Sequence, residues 1–191
     1  MDQWHLSELA VSSKGQKSCV LTAEHQVVRF QLGEGLRTRF GASTFDKNVD
    51  AVRRSLDFDL DDEVVLARLR AVDAWALKYL TKHSERLLKK QLSRTEVENN
   101  YNPLVKVYGS SHSCKTKINI RGSRSATFWA ENGDQLLDPP ADGTWQDFAY
   151  QAHVSIPQLW IMAGSFGLLL ETTALMLSAP SAINPFDQKA V

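Results

Sequence analysis

The run Lys115-Thr116-Lys117-Ile118-Asn119-Ile120-Arg121 alternates polar with β-branched side chains. At the two-residue period of a strand, Lys115, Lys117, Asn119 and Arg121 point one way and Thr116, Ile118 and Ile120 the other. Such a strand is half-buried and carries a cationic stripe. Lys106 and Tyr108 share one face of the preceding run Leu104–Tyr108, opposite Val105 and Val107. Arg124, Phe128 and Trp129 follow shortly after. Cations interleaved with rings suit a single-stranded nucleic acid, because Lys and Arg track phosphates while rings stack on bases at ~1–3 kcal/mol per base. The same residues also read as core or edge rings beside solvating charges, which composition alone favours. The first reading rests on Lys106, Tyr108, Lys115, Lys117, Arg121, Arg124 and Trp129.

Other chemistries fail on spacing. Asp57-Phe58-Asp59-Leu60-Asp61 imitates the opening of a calcium loop, yet the glycine and glutamate that loop requires are replaced by Asp62 and Arg68. The acidic run reads instead as a helix start. Ala163-Gly164-Ser165-Phe166-Gly167 is one residue short of a nucleophile elbow, but that fold expects a later histidine and none follows His153. A turn between two strands explains Gly164 and Gly167 more simply. Gly33-Glu34-Gly35 lacks the third glycine of a dinucleotide loop, and the histidines are scattered without an HExxH. Neither a catalytic residue, a metal ligand nor a cofactor is assigned, and binding rather than catalysis is expected.

These side chains need a β-rich scaffold. Cys19–Ala23 and Val27–Leu32 read as strands, and residues 41–60 stay unassigned. A helix is expected over about 61–90, capped by Asp59 or Asp61, with Val65, Leu69, Val72, Ala76, Leu80, His83 and Leu87 as its buried stripe. Asn99 to Pro103 is turn chemistry. Leu104–Tyr108, Lys115–Ile120, Ala126–Ala130, Ala152–Ala163 and Leu168–Leu177 are the later strands. Leu159-Trp160-Ile161-Met162 is apolar on both faces, which predicts cover on both sides and makes Trp160 a core anchor.

The chain has 191 residues and a formal charge of zero, so one domain over 1–178 with a flexible tail at 179–191 is the default. Charge is segregated: between Lys78 and Arg124 there are eleven Lys/Arg against three Asp/Glu, a local net of +8. A neutral molecule built this way can hold an anion on one side. Cys19 and Cys114 stand alone, which fits a reducing, intracellular compartment. The apolar run Leu159–Leu170 would reach only ~18 Å as a helix against a ~30 Å hydrocarbon core, so no membrane partner is expected.

The stretch Val154-Ser155-Ile156-Pro157-Gln158-Leu159-Trp160, the turn with Phe166-Gly167 and the strand to Leu177 resemble the closing hairpin of OB-fold single-stranded-DNA-binding proteins of large DNA viruses and tailed phages. Tyr101-Asn102-Pro103-Leu104-Val105-Lys106 followed by Lys115-Thr116-Lys117-Ile118 is similar to that family's opening barrel segment. The likeness spans roughly residues 95–178. It implies a mainly β, α+β fold: an OB-like barrel with an amphipathic helix packed on or beside it. It also implies sequence-independent binding of single-stranded DNA, or RNA, in replication, recombination or repair, and it is compatible with a homodimer. The phage members recruit replication proteins through an acidic tail, whereas this chain ends Pro185-Phe186-Asp187-Gln188-Lys189-Ala190-Val191. A protein–protein module with no nucleic-acid ligand is the alternative.

Overall fold

The computed structural model describes residues 3–44 and 51–179, so all of the expected tail beyond Ala179 lies outside the described residues. In chain order the elements are β1 (Trp4–Leu6), β2 (Ala10–Val11), β3 (Lys17–Ala23), β4 (Gln26–Thr38), β5 (Arg53–Asp59), α1 (Glu63–Leu88), α2 (Arg94–Asn100), β6 (Tyr101–Asn102), β7 (Val105–Tyr108), β8 (Ser111–Asn119), β9 (Thr127–Ala130), β10 (Gln135–Leu136), β11 (Ala149–Met162) and β12 (Ser165–Ser178). A 3-10 turn at Trp145–Asp147 leads into β11.

Five strands pair in a circuit. β4 is antiparallel to β5, β5 to β8, β12 to β11 and β11 to β4, and the parallel step from β8 to β12 closes the path. Alternation builds the interior: Cys114, Thr116 and Ile118 of β8 are buried, as are Phe166, Leu168, Leu170 and Thr172 of β12. The parallel step is the shortest, with Lys117 opposite Glu171 and Thr172 opposite Ile118. Behind it the Thr116 hydroxyl donates to the Leu56 carbonyl at 3.1 Å and lies 2.8 Å from the Thr172 hydroxyl, so no buried polar group of this pair is orphaned.

β11 serves two neighbours in turn. Residues up to Ile156 pair with β4, and those from Gln158 pair with β3. Pro157 stands at the change, inside a register shift against β12, where its missing N–H costs no ladder bond. The hairpin turn is Ala163-Gly164, both at positive φ (49° and 87°), the geometry of a tight two-residue loop. Ser165 opens β12 opposite Met162, so the elbow-like motif is a hairpin turn, as its glycines suggested.

The expected helix is present, with its cap moved. The Asp62 side chain, rather than Asp59 or Asp61, accepts from the amides of Val64 (2.7 Å) and Val65 (3.3 Å). The acidic run before it belongs mostly to β5. The stripe holds at Val65, Leu69, Val72, Ala76, Leu80 and Leu87, but His83 sits at a kink (φ −120°, ψ 17°) and Ser84 is buried instead. Among the described residues no helix is long and apolar enough to cross a membrane.

Two further elements break the sequence-based picture. β5 lies at the end of the stretch left unassigned, and the turn expected at Asn99–Pro103 is replaced by the last residues of α2 and by β6, which pairs with β12; α2 is started by a capping box in which the Ser93 hydroxyl and the Glu96 carboxylate serve each other's amides. α1 is tied to β6 and to the start of β7 by buried Asp73, whose carboxylate accepts from the Tyr101 hydroxyl at 2.6 Å and the Leu104 amide at 3.0 Å. Its far end is tied to the N-terminal strands by Arg86, which donates to Glu8 (2.9 Å) and the Leu6 carbonyl (3.2 Å).

Candidate nucleic-acid interface

The outer face of β8 is set by its partners on both edges. Against β5, Lys115 stands opposite Asp57, Lys117 opposite Ser55 and Asn119 opposite Arg53. On the other edge, β7 places Lys106 opposite Ser113 and Tyr108 opposite Ser111. All these residues share the odd-numbered face of β8, so Lys106, Tyr108, Lys115 and Lys117 are brought together. Helix α1 meets β8 on the reverse side, where Arg70 Nη2 lies 3.1 Å from His112 Nε2. Lys115 is exposed, and Tyr108 is 64% exposed at the hairpin end.

Electrostatically the face is mixed. The Lys117 ammonium, half-buried and donating to Ser55 Oγ at 2.7 Å, is held below the usual lysine range chiefly by burial, with Lys115 and Arg53 adding repulsion. Glu171 sits across the parallel step and pairs with Arg53 at 3.4 Å while accepting from Asn119 Nδ2 at 3.2 Å. An anionic ligand must compete with that carboxylate. Replacing it, Glu171→Gln, should therefore strengthen binding of a single strand: releasing one cation to one phosphate is worth about 5-fold at 0.1 M salt, from a slope near −0.7 per contact. Titration at fixed ionic strength tests this, and unchanged or weaker binding counts against a phosphate path over Arg53.

The remaining predicted residues lie elsewhere on the surface. Arg121 and Arg124 follow the end of β8 in the exposed connection to β9, which is folded back by the Ala126 amide on the Asn119 carbonyl (2.8 Å). Trp129 is half-buried on β9, opposite Met176 of β12, with its indole N–H on Thr127 Oγ1 at 3.1 Å. That is five residues along β12 from the Glu171 step, or about 17 Å. Trp129 is thus on the outer surface but apart from the lysines.

Three features escaped the sequence reading. Arg53 joins the face because β5 does, and no pattern in residues 41–60 announced a strand. Trp160 is not a core anchor: it is half-buried on the outer side of β11 and stands outside the core cluster, while its neighbour Leu159 is fully buried. Its alternation with Gln158 and Met162 was the available signal. Inward-facing Arg54, paired with Asp142, lines a cleft of about 260 Å³ with Phe40 and Trp145 at one end of the circuit. The thiols are not part of the surface: Cys19 and Cys114 are buried and unpaired with each other, and burial pushes Cys114 up to about 12.

Fold and face together define a β-rich α+β scaffold that presents lysines and a ring on the outside of a strand circuit. No protein-family model matches the chain, and no curated protein does. Solved structures do. The chain is similar to gp2.5, a single-stranded DNA binding protein encoded by bacteriophage T7, at a TM-score of 0.51 and 12% identity over 85% of this chain and 98% of that one. It is similar to the single-stranded DNA-binding protein from bacteriophage Enc34 at 0.50 and 11% identity, over 98% and 96%. A C-terminal truncation of the Enc34 protein gives 0.51 and 8% over 91% and 96%. The chain has the fold of these phage proteins.

Proposed function

We propose that this protein binds single-stranded DNA without sequence preference, across the outer face of β5, β7 and β8. The observation that carries the reading is the grouping of Lys106, Lys115, Lys117 and exposed Tyr108 on one face of adjacent strands. The circuit β4–β5–β8–β12–β11 has the strand order of an OB-type barrel, and we assign it to that class. OB folds bind oligonucleotides over their second and third strands, which here are β5 and β8. The likeness to two phage proteins whose names describe single-stranded-DNA binding supports the same ligand. Arg121, Arg124 and Trp129 would extend the path past the end of β8. Binding is by charge and stacking, with no covalent step, and serves to coat exposed strands in replication, recombination or repair.

Oligo-dT titration followed by tryptophan fluorescence at two salt concentrations tests the proposal. Quenching that weakens with salt is expected, and no binding at low salt would overturn it. Lys106→Ala and Lys115→Ala should each weaken binding about 5-fold at 0.1 M salt, and the pair about 25-fold, while lowering the salt slope by ~0.7 each. Neither side chain is buried, so the unfolding midpoint should hold.

A further inference from the structure

We infer that Trp160 is a base-stacking platform that carries the bound strand off β8, across β12 and onto β11; the inference rests on the single-strand reading above. Three observations place the ring there. In the β11–β12 register Gln158 faces Leu169, Trp160 faces Gly167 and Met162 faces Ser165. Phe166, Leu168 and Leu170 are buried while Leu169 and Glu171 are partly exposed, so the odd-numbered positions of β12 lie on the outer side; Gly167 is itself buried there, beneath Trp160 and beside the Asn102 carbonyl, on the surface that Lys117 shares through its step to Glu171. Gly167 is four residues from that step, about 13 Å along β12.

The second observation is the glycine. A Cβ at position 167 would come within 3.0 Å and 3.2 Å of Cζ2 and Cε2 of Trp160 and 2.8 Å of the Asn102 carbonyl. The absence of that Cβ lets the indole lie against the backbone of β12. A large ring held low on a sheet by a glycine is oriented before a ligand arrives, so little side-chain entropy remains to be lost on binding. The third is the setting. Among the described residues no other ring contacts Trp160, and exposed apolar side chains lie near it, Met162 at 71% and Val20, opposite Gln158 on β3, at 46%, with polar Ser18 directly across on β3 and Gln158 beside it on β11. A ring set among exposed apolar and small polar side chains suits a base, whose face stacks and whose edge hydrogen-bonds, and the phosphates would return to the lysines.

The test is oligo-dT binding by the full chain. Trp160→Ala should weaken binding roughly 5- to 150-fold, the range for losing one stacked base, with the salt slope unchanged because no charge is lost. Trp160→Phe should recover most of the affinity. Photocrosslinking of wild-type protein to oligonucleotide bearing 5-iodouracil gives a readout independent of the variants' folding, and the crosslink is expected on the peptide around Trp160. Normal affinity of folded Trp160→Ala, or crosslinks confined to β7 and β8, overturns the platform and leaves single-strand binding standing. Failure of the wild-type chain to bind oligo-dT overturns both.

Discussion

Replacing Asp73 by alanine is expected to lower the unfolding free energy by about 3 kcal/mol, because it strands two buried donors, each worth ~1–3 kcal/mol when left without an acceptor. The Tyr101 hydroxyl and the Leu104 amide both end on this carboxylate, and Asp73 itself is only 8% exposed. For a chain of this size each kcal/mol is worth roughly 2–4 °C, so a drop of about 6–12 °C in Tm is expected. The bond also has a functional consequence, since Leu104 leads directly into β7 with Lys106 and Tyr108. Oligo-dT affinity should therefore fall with the stability, unlike the effect of Lys115→Ala. A Tm within a degree of wild type would show that the anchor contributes nothing.

The same carboxyl predicts a pH dependence. Burial raises it above the ordinary 3.8, more than the opposing Tyr101 and Leu104 hydrogen bonds lower it. The folded state then keeps its proton to higher pH than the unfolded state does. The stability from this group is full below 3.8 and is lost as pH rises through the raised value, with no further change above it. Urea unfolding from acid to neutral pH should show this descending component in the wild type and not in Asp73→Asn. An equal slope in both would remove Asp73 as its source.

How much of this was written in the sequence depends on whether the pattern was local. The alternation from Lys115 to Ile120 was legible because β8 is buried on one face only, and period two survives there. The stripe of α1 was legible for the same reason at a different period. β5 was not, because Arg54, Ser55 and Leu56 are consecutively buried and an inward arginine breaks the expected pattern. Arg54 is tolerated there by Asp142, 88 residues away, a partner no window of sequence reveals. Trp129 looked close to the lysines because it is close in the chain, and the parallel pairing of β9 with β12 carries it off. Two misses had signals. Ser93-Arg94-Thr95-Glu96 is a capping box ahead of α2, and Gly167 stands where a hairpin register would place it under Trp160.

Phe58→Ala tests the circuit itself and should cost about 3–5 kcal/mol, the range for truncating a buried phenylalanine in a core that relaxes only partly. Phe58 is fully buried on β5, opposite Thr38 of β4 and Cys114 of β8, and its ring meets that of Tyr150 on β11 edge-on at 6.0 Å. One side chain thus couples four of the five strands. A fall in Tm of roughly 6–20 °C is expected, whereas Phe58→Leu, which keeps most of the volume, should cost under about 1.5 kcal/mol. Comparison with Lys115→Ala separates scaffold from surface. The lysine is exposed and should move stability by no more than ~0.5 kcal/mol while weakening DNA binding, and Phe58→Leu should do the reverse. If Phe58→Ala costs less than 1 kcal/mol, the interior is not packed as described. If instead Lys115→Ala unfolds the chain, the cationic strand is part of the scaffold and the binding face must be sought elsewhere.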